Sequence, residues 1–108
     1  MTDALHYQTI LELSSQIRSG DLSPLTLTEA LLARIEALDG RLKSYATVMA
    51  ESALAEARTA EVEIAAGRYL GPLHGIPIAV KDLCYTKGVR TMGGCAVLAG
   101  HVPDFDAT

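Results

Sequence analysis

Residues 71–83 read GPLHGIPIAVKDL. Within that stretch, Ile76–Val80 is a short apolar run without polar alternation, and it delivers a lysine, Lys81, at its end. Such a run fits a strand buried on both faces, as in a sheet covered by helices. Pro77 is tolerable near the start of a strand, where its missing N–H matters least. A strand of this kind needs neighbouring strands, and the rest of the chain offers almost none. Alone it would leave backbone groups unpaired and invite aggregation. The reading is therefore α/β, with the chain expected to be a piece of a larger domain.

Working outward, residues 1–67 read as helical. TILELSSQIRSG places Ile10, Leu13 and Ile17 on one face, with Gly20 as a stop. In the next segment Ser23 is a good N-cap and Pro24 suits the first helical position. Leu27, Leu31, Ile35 and Leu38 then line one face, and Gly40 is expected to close the helix in the left-handed conformation. A third segment, rich in alanine and glutamate, has strong helix propensity. Its thin apolar stripe is Ala53, Ala57 and Ile64 with Leu54 beside it. Glu56, Glu61 and Glu63 are expected to face water, and Gly67 marks the end. Residues 68–108 read as the strand and loops, with one helical turn around Ala96–Leu98. Gly93 and Gly94 predict a turn that lets backbone approach the site closely.

Composition narrows the function. The chain has 108 residues, 49% of them hydrophobic and 20% charged, which describes an ordinary globular sequence. A formal net charge of -4 without a basic cluster argues against direct nucleic-acid binding. No stretch approaches the ~18 apolar residues of a membrane span, and the N-terminus lacks a signal-peptide pattern, so a cytoplasmic location is expected. Cys84 and Cys95 match no zinc or redox spacing and read as free thiols. No cofactor or metal pattern is present.

Lys81 carries the chemistry. A strand-end lysine is commonly paired with a carboxylate, here Asp82. The sharper reading is a lysine held in partly apolar surroundings, which disfavour the ammonium form. Holding a lysine neutral at neutral pH costs about 4 kcal/mol, which a stiff scaffold has to supply. A direct pairing with Asp82 would oppose that use, so Asp82 is expected to orient backbone instead. His74 is expected to bond backbone in its turn. Nothing places His74 or His101 beside either cysteine.

GPLHGIPIAVKDL, followed by TKGVRTMGG and VPDFDAT, resembles the opening of the amidase signature family, serine hydrolases that cleave carboxamides. The likeness extends over essentially the whole chain but only the opening part of a typical member. It implies a mixed sheet flanked by helices in the parent, with residues 1–108 as the N-terminal fragment of one such domain. It also implies a triad of a serine nucleophile, a second serine in a cis peptide, and a lysine, a role that falls on Lys81. Through the bridging serine, neutral Lys81 would accept the nucleophile's proton and later help return it to the leaving ammonia or amine. The family places both serines downstream of the lysine, whereas Ser14, Ser15, Ser19, Ser23, Ser44 and Ser52 all precede Lys81. No residue here is assigned as nucleophile, and the isolated chain is expected to be inactive. Cys95 stands where many relatives carry serine and reads as a small packing residue. The implied partner is a small-molecule amide, with homo-oligomerisation left open. One alternative is the amidase subunit of a tRNA-dependent amidotransferase, in which the motif often continues as KDN rather than the KDL seen here. Another is a non-catalytic helical interaction module docking through its acidic third helix.

Overall fold

The computed structural model describes residues 4–108. They form two compact units: the chain up to Leu42 together with Met49–Pro77, and Lys43–Val48 together with Ile78–Thr108. Among the described residues no helix is long and apolar enough to cross a membrane.

Among its described residues the first unit holds a 3-10 turn, Leu5–Tyr7, and three α-helices. Helix α1, Ile10–Ser19, starts at a reciprocal capping box, with the Thr9 hydroxyl accepting from the Glu12 N–H and the Glu12 carboxylate from the Thr9 N–H. It ends at Gly20 in the left-handed conformation, φ 87°. Helix α2, Pro24–Leu42, begins with the Ser23 hydroxyl accepting from the Leu25 N–H at 3.0 Å. Contrary to expectation Gly40 does not stop it. The helix runs on to Leu42, and Lys43 takes the positive φ of 50°. Arg41 and Leu42 are good helix formers, and Arg41 lies in the last turn, where a cation complements the helix dipole. Helix α3, Ala50–Ala65, packs on α2 and buries Ala57 and Ala60, small side chains that permit close approach.

The core of this unit is Leu13, Ile17 and Leu27, with Leu5, Leu22, Leu31, Ile64 and Ile76 packed against it. Ile17 is 1% exposed and Leu27 0%. Burial of two such side chains is worth about 1.5–3 kcal/mol each. Two acidic residues expected to face water are instead engaged. Glu61 accepts a hydrogen bond from the Ser23 hydroxyl, which ties α3 to the start of α2. The Glu63 carboxylate lies 3.7 Å from Arg68 and 3.8 Å from His74.

The second unit consists of loops closed by backbone bonds, with a 3-10 turn at Ala96–Leu98 where one helical turn was expected. Residues 85–91 and 101–107 run side by side. Tyr85 O accepts from the Ala107 N–H at 2.8 Å, Pro103 O from the Gly88 N–H at 2.9 Å, and His101 O from the Thr91 N–H at 2.9 Å. The Asp106 carboxylate accepts from the Lys87 N–H at 2.7 Å. Tyr85 packs its ring against His101 and Phe105. The Arg90 guanidinium donates to Ala46 O at 2.7 Å and so holds the segment 43–48 to the rest of this unit.

The expected strand is not formed. Ile76–Val80 belongs to no strand, and the described residues contain none. The mixed-sheet reading therefore does not describe this chain. The physical reason is the one the sequence raised: a ladder needs a partner, and none is present among the described residues. Ile78 is 73% exposed and Val80 53%, so the run reaches solvent where burial on both faces was expected.

Candidate active site

The approach to Lys81 is built from turns. The His74 N–H donates to Gly71 O at 3.0 Å, and the Ile76 N–H donates to Leu73 O at 3.1 Å. The His74 ring is only 9% exposed, and its Nδ1 accepts from the Leu70 N–H at 3.0 Å. His74 is thus a turn residue bonded to backbone, as expected, with the Glu63 carboxylate near its other nitrogen. Gly75, at φ 82°, lies so close to Pro24 that no side chain fits there. Ile76 then enters the core of the first unit.

Lys81 is exposed. Its carbonyl accepts from the Cys84 N–H at 3.0 Å, so a tight turn begins at the lysine itself. The partly apolar surroundings expected for it are not formed among the described residues, where Lys81 reaches solvent. Asp82 behaves as expected. Its Oδ1 accepts from the Met92 N–H at 3.0 Å, and its carbonyl accepts from the Gly93 N–H at 2.7 Å. Lys81 takes part in no ion pair among the described residues. Gly93 and Gly94, with φ 59° and 72°, make the turn read from the sequence, closed by the Cys95 N–H on Met92 O at 3.0 Å. Two successive positive φ values are the mark of a type I′ turn.

Several serine hydroxyls of the first unit are engaged within that unit. The Ser14 hydroxyl is buried and bonded to the Tyr69 hydroxyl, over whose ring Arg18 lies 5.2 Å from the centroid. Ser19 donates to Gln16 O, Ser52 donates to Met49 O, and Ser23 serves as cap and inter-helix tie. Cys84 and Cys95 are free thiols. Cys95 is exposed, which corrects its reading as a packing residue. It immediately precedes the 3-10 turn at Ala96–Leu98, whose residues are exposed as well. Arg90 escaped the sequence reading, and the only signal for it was an arginine placed among turn residues.

Residues 26–108 match the family model described as Amidase. The chain is 48% identical over 106 residues to the Mycobacterium tuberculosis protein named "Putative amidase AmiD", covering 98% of this chain and 22% of that one. It is 48% identical over 104 residues to a glutamyl-tRNA(Gln) amidotransferase subunit of Thioalkalivibrio sulfidiphilus, covering 96% of this chain and 21% of that one. A solved structure described in connection with a vestigial protein complex and the evolutionary origins of an s-triazine catabolic enzyme is similar at TM-score 0.82 and 35% identity. That likeness covers 89% of this chain and 21% of the other. The chain thus spans about a fifth of the length of the relatives it matches. The family match takes in the whole of IPIAVKDL and the loops that follow, and on that match the chain belongs to the amidase family.

Proposed function

We propose that this chain supplies the lysine base of an amidase that hydrolyses carboxamide C–N bonds through a serine, a bridging serine and a lysine. The observation that carries the reading is the placement of Asp82: its carboxylate is occupied by the Met92 N–H, and the lysine beside it is left without an ion pair among the described residues. A carboxylate against Lys81 would favour the ammonium and disable it as a base. In the proposed cycle Lys81 takes the nucleophile's proton through the bridging serine. The serine oxygen bonds to the carbonyl carbon, the C–N bond breaks, and the proton leaves on ammonia or the amine. Water then releases the carboxylic acid.

Both serines and the oxyanion donors come from residues outside this segment, so the 108-residue chain alone is inactive. In the longer protein Ile76–Val80 gains strand neighbours on a mixed sheet, which also encloses Lys81. The free thiols fit a cytoplasmic location. The test is ammonia release from simple carboxamides by the protein in its full coded length, with no other protein added. Release under those conditions is expected. Release only when charged tRNA and a tRNA-binding partner protein are supplied would replace this reading with the amidotransferase one, which KDL in place of KDN disfavours.

A further inference from the structure

The next residue after the candidate base holds two successive amides. Asp82 Oδ1 takes the Met92 N–H and Asp82 O takes the Gly93 N–H, at 3.0 and 2.7 Å. Those amides open the Gly93–Gly94 turn, whose positive φ values glycine adopts without strain. On the other side the Lys81 carbonyl is fixed by the Cys84 N–H. The backbone from Lys81 to Cys84 is thereby bound to a second turn ten residues away, through one carboxylate and one carbonyl. We propose that Asp82 is a positioning residue for Lys81. Its carboxylate locks the backbone from which the lysine stem projects, and it does so without pairing with the ammonium. The proposal rests on the reading of Lys81 as the base.

A long lysine stem has many rotamers of its own, so its anchor has to be fixed if the nitrogen is to be. The nitrogen lies about 6 Å from its Cα. A tilt of about 10° at the anchor therefore moves it about 1 Å, a displacement that costs roughly a hundredfold in rate. The Asp82 bond is made by an oxygen acceptor, which asparagine also provides. Charge at this position is dispensable if the role is positional and indispensable if Asp82 acts on Lys81 through its field.

The experiment compares Lys81→Ala, Asp82→Ala and Asp82→Asn in the full-length enzyme, with kcat and KM measured across pH on a simple carboxamide and folded fraction checked by thermal melting. Asp82→Ala is expected to lose about a hundredfold in kcat at unchanged KM. Asp82→Asn is expected to stay within a few-fold of the unmodified enzyme with an unshifted pH profile. Should Asp82→Ala fail to fold, the asparagine variant still decides. A shifted profile or an alanine-sized loss in Asp82→Asn overturns the positional role. If Lys81→Ala is inactive and Asp82→Ala turns over normally, the proposal falls alone. If Lys81→Ala retains turnover, the base assignment falls and takes the proposal with it.

Discussion

Replacing Gly75 by alanine tests the seam between the loop that leads to Lys81 and the start of α2. Gly75 has φ 82°, and a Cβ there would stand 2.7 Å from Pro24 Cγ, 3.1 Å from Pro24 Cβ and 3.6 Å from Ile64 Cδ1. Two costs add. Holding alanine in the left-handed region costs about 1–2 kcal/mol. Forcing a methyl into a packed seam costs about 1–3 kcal/mol more. Pro24 yields little, because its ring is rigid and it is itself buried at the first position of α2. The expected loss is about 2–5 kcal/mol, which at a urea dependence of about 1.5 kcal/mol per molar lowers the midpoint by roughly 1–3 M. Far-ultraviolet circular dichroism is the readout, because α1, α2 and α3 all lie in the first unit. Two controls separate the terms. Gly67 has φ 88° and nothing within 4 Å of its Cβ position, so Gly67→Ala carries the strain alone. Gly40 lies inside α2 with open space around it, so Gly40→Ala is expected to stabilise by about 0.5–1 kcal/mol. A Gly75→Ala midpoint equal to that of Gly67→Ala would refute the packing argument, and a destabilising Gly40→Ala would refute the continuation of α2 to Leu42.

Two further outcomes are expected from the same urea titrations. Thr9→Ala removes the hydroxyl that accepts from the Glu12 N–H and should cost about 1 kcal/mol, with Thr9→Ser near neutral. Leu27→Ala empties the centre of the core at a side chain that is fully buried, and should cost about 2–5 kcal/mol, several times the loss from an equal truncation at the exposed Leu11.

What the sequence made legible was local. The spacing of Leu13 and Ile17 and the glycine at 20 specified α1 and its end, although Ile10, read onto the same face, is exposed. Ser23 and Pro24 specified the start of α2, because a cap acts on amides only two or three residues away. The turn at Gly93–Gly94 was legible for the same reason, whereas the backbone role of Asp82 was legible only in kind, since the amides it holds lie ten residues on. Most of the misreadings involve distance along the chain, and Gly40 is the local exception. Glu61 looked like a solvated acid because Ser23, its partner, lies 38 residues earlier. Gly40 looked like a stop because a glycine marks a helix end only when the residues beyond it favour leaving, and Arg41 and Leu42 do not. Ile76–Val80 had the composition of a buried strand, but a strand is a property of a pair, and composition is silent on whether the partner is in the chain. The exposure of Lys81 was illegible on the same grounds, since composition beside a residue does not say whether other segments wall it in.

Everything proposed for the chemistry turns on Lys81 as the base of an amide-cleaving site. The most direct test is turnover of a simple carboxamide by the full-length protein carrying Lys81→Ala, with folding verified and kcat and KM measured separately. If Lys81 is the base, kcat falls by about a thousandfold or more with KM little changed, as for loss of a member of a catalytic triad. A kcat within about tenfold of the unmodified enzyme, less than a general base typically contributes, would contradict it.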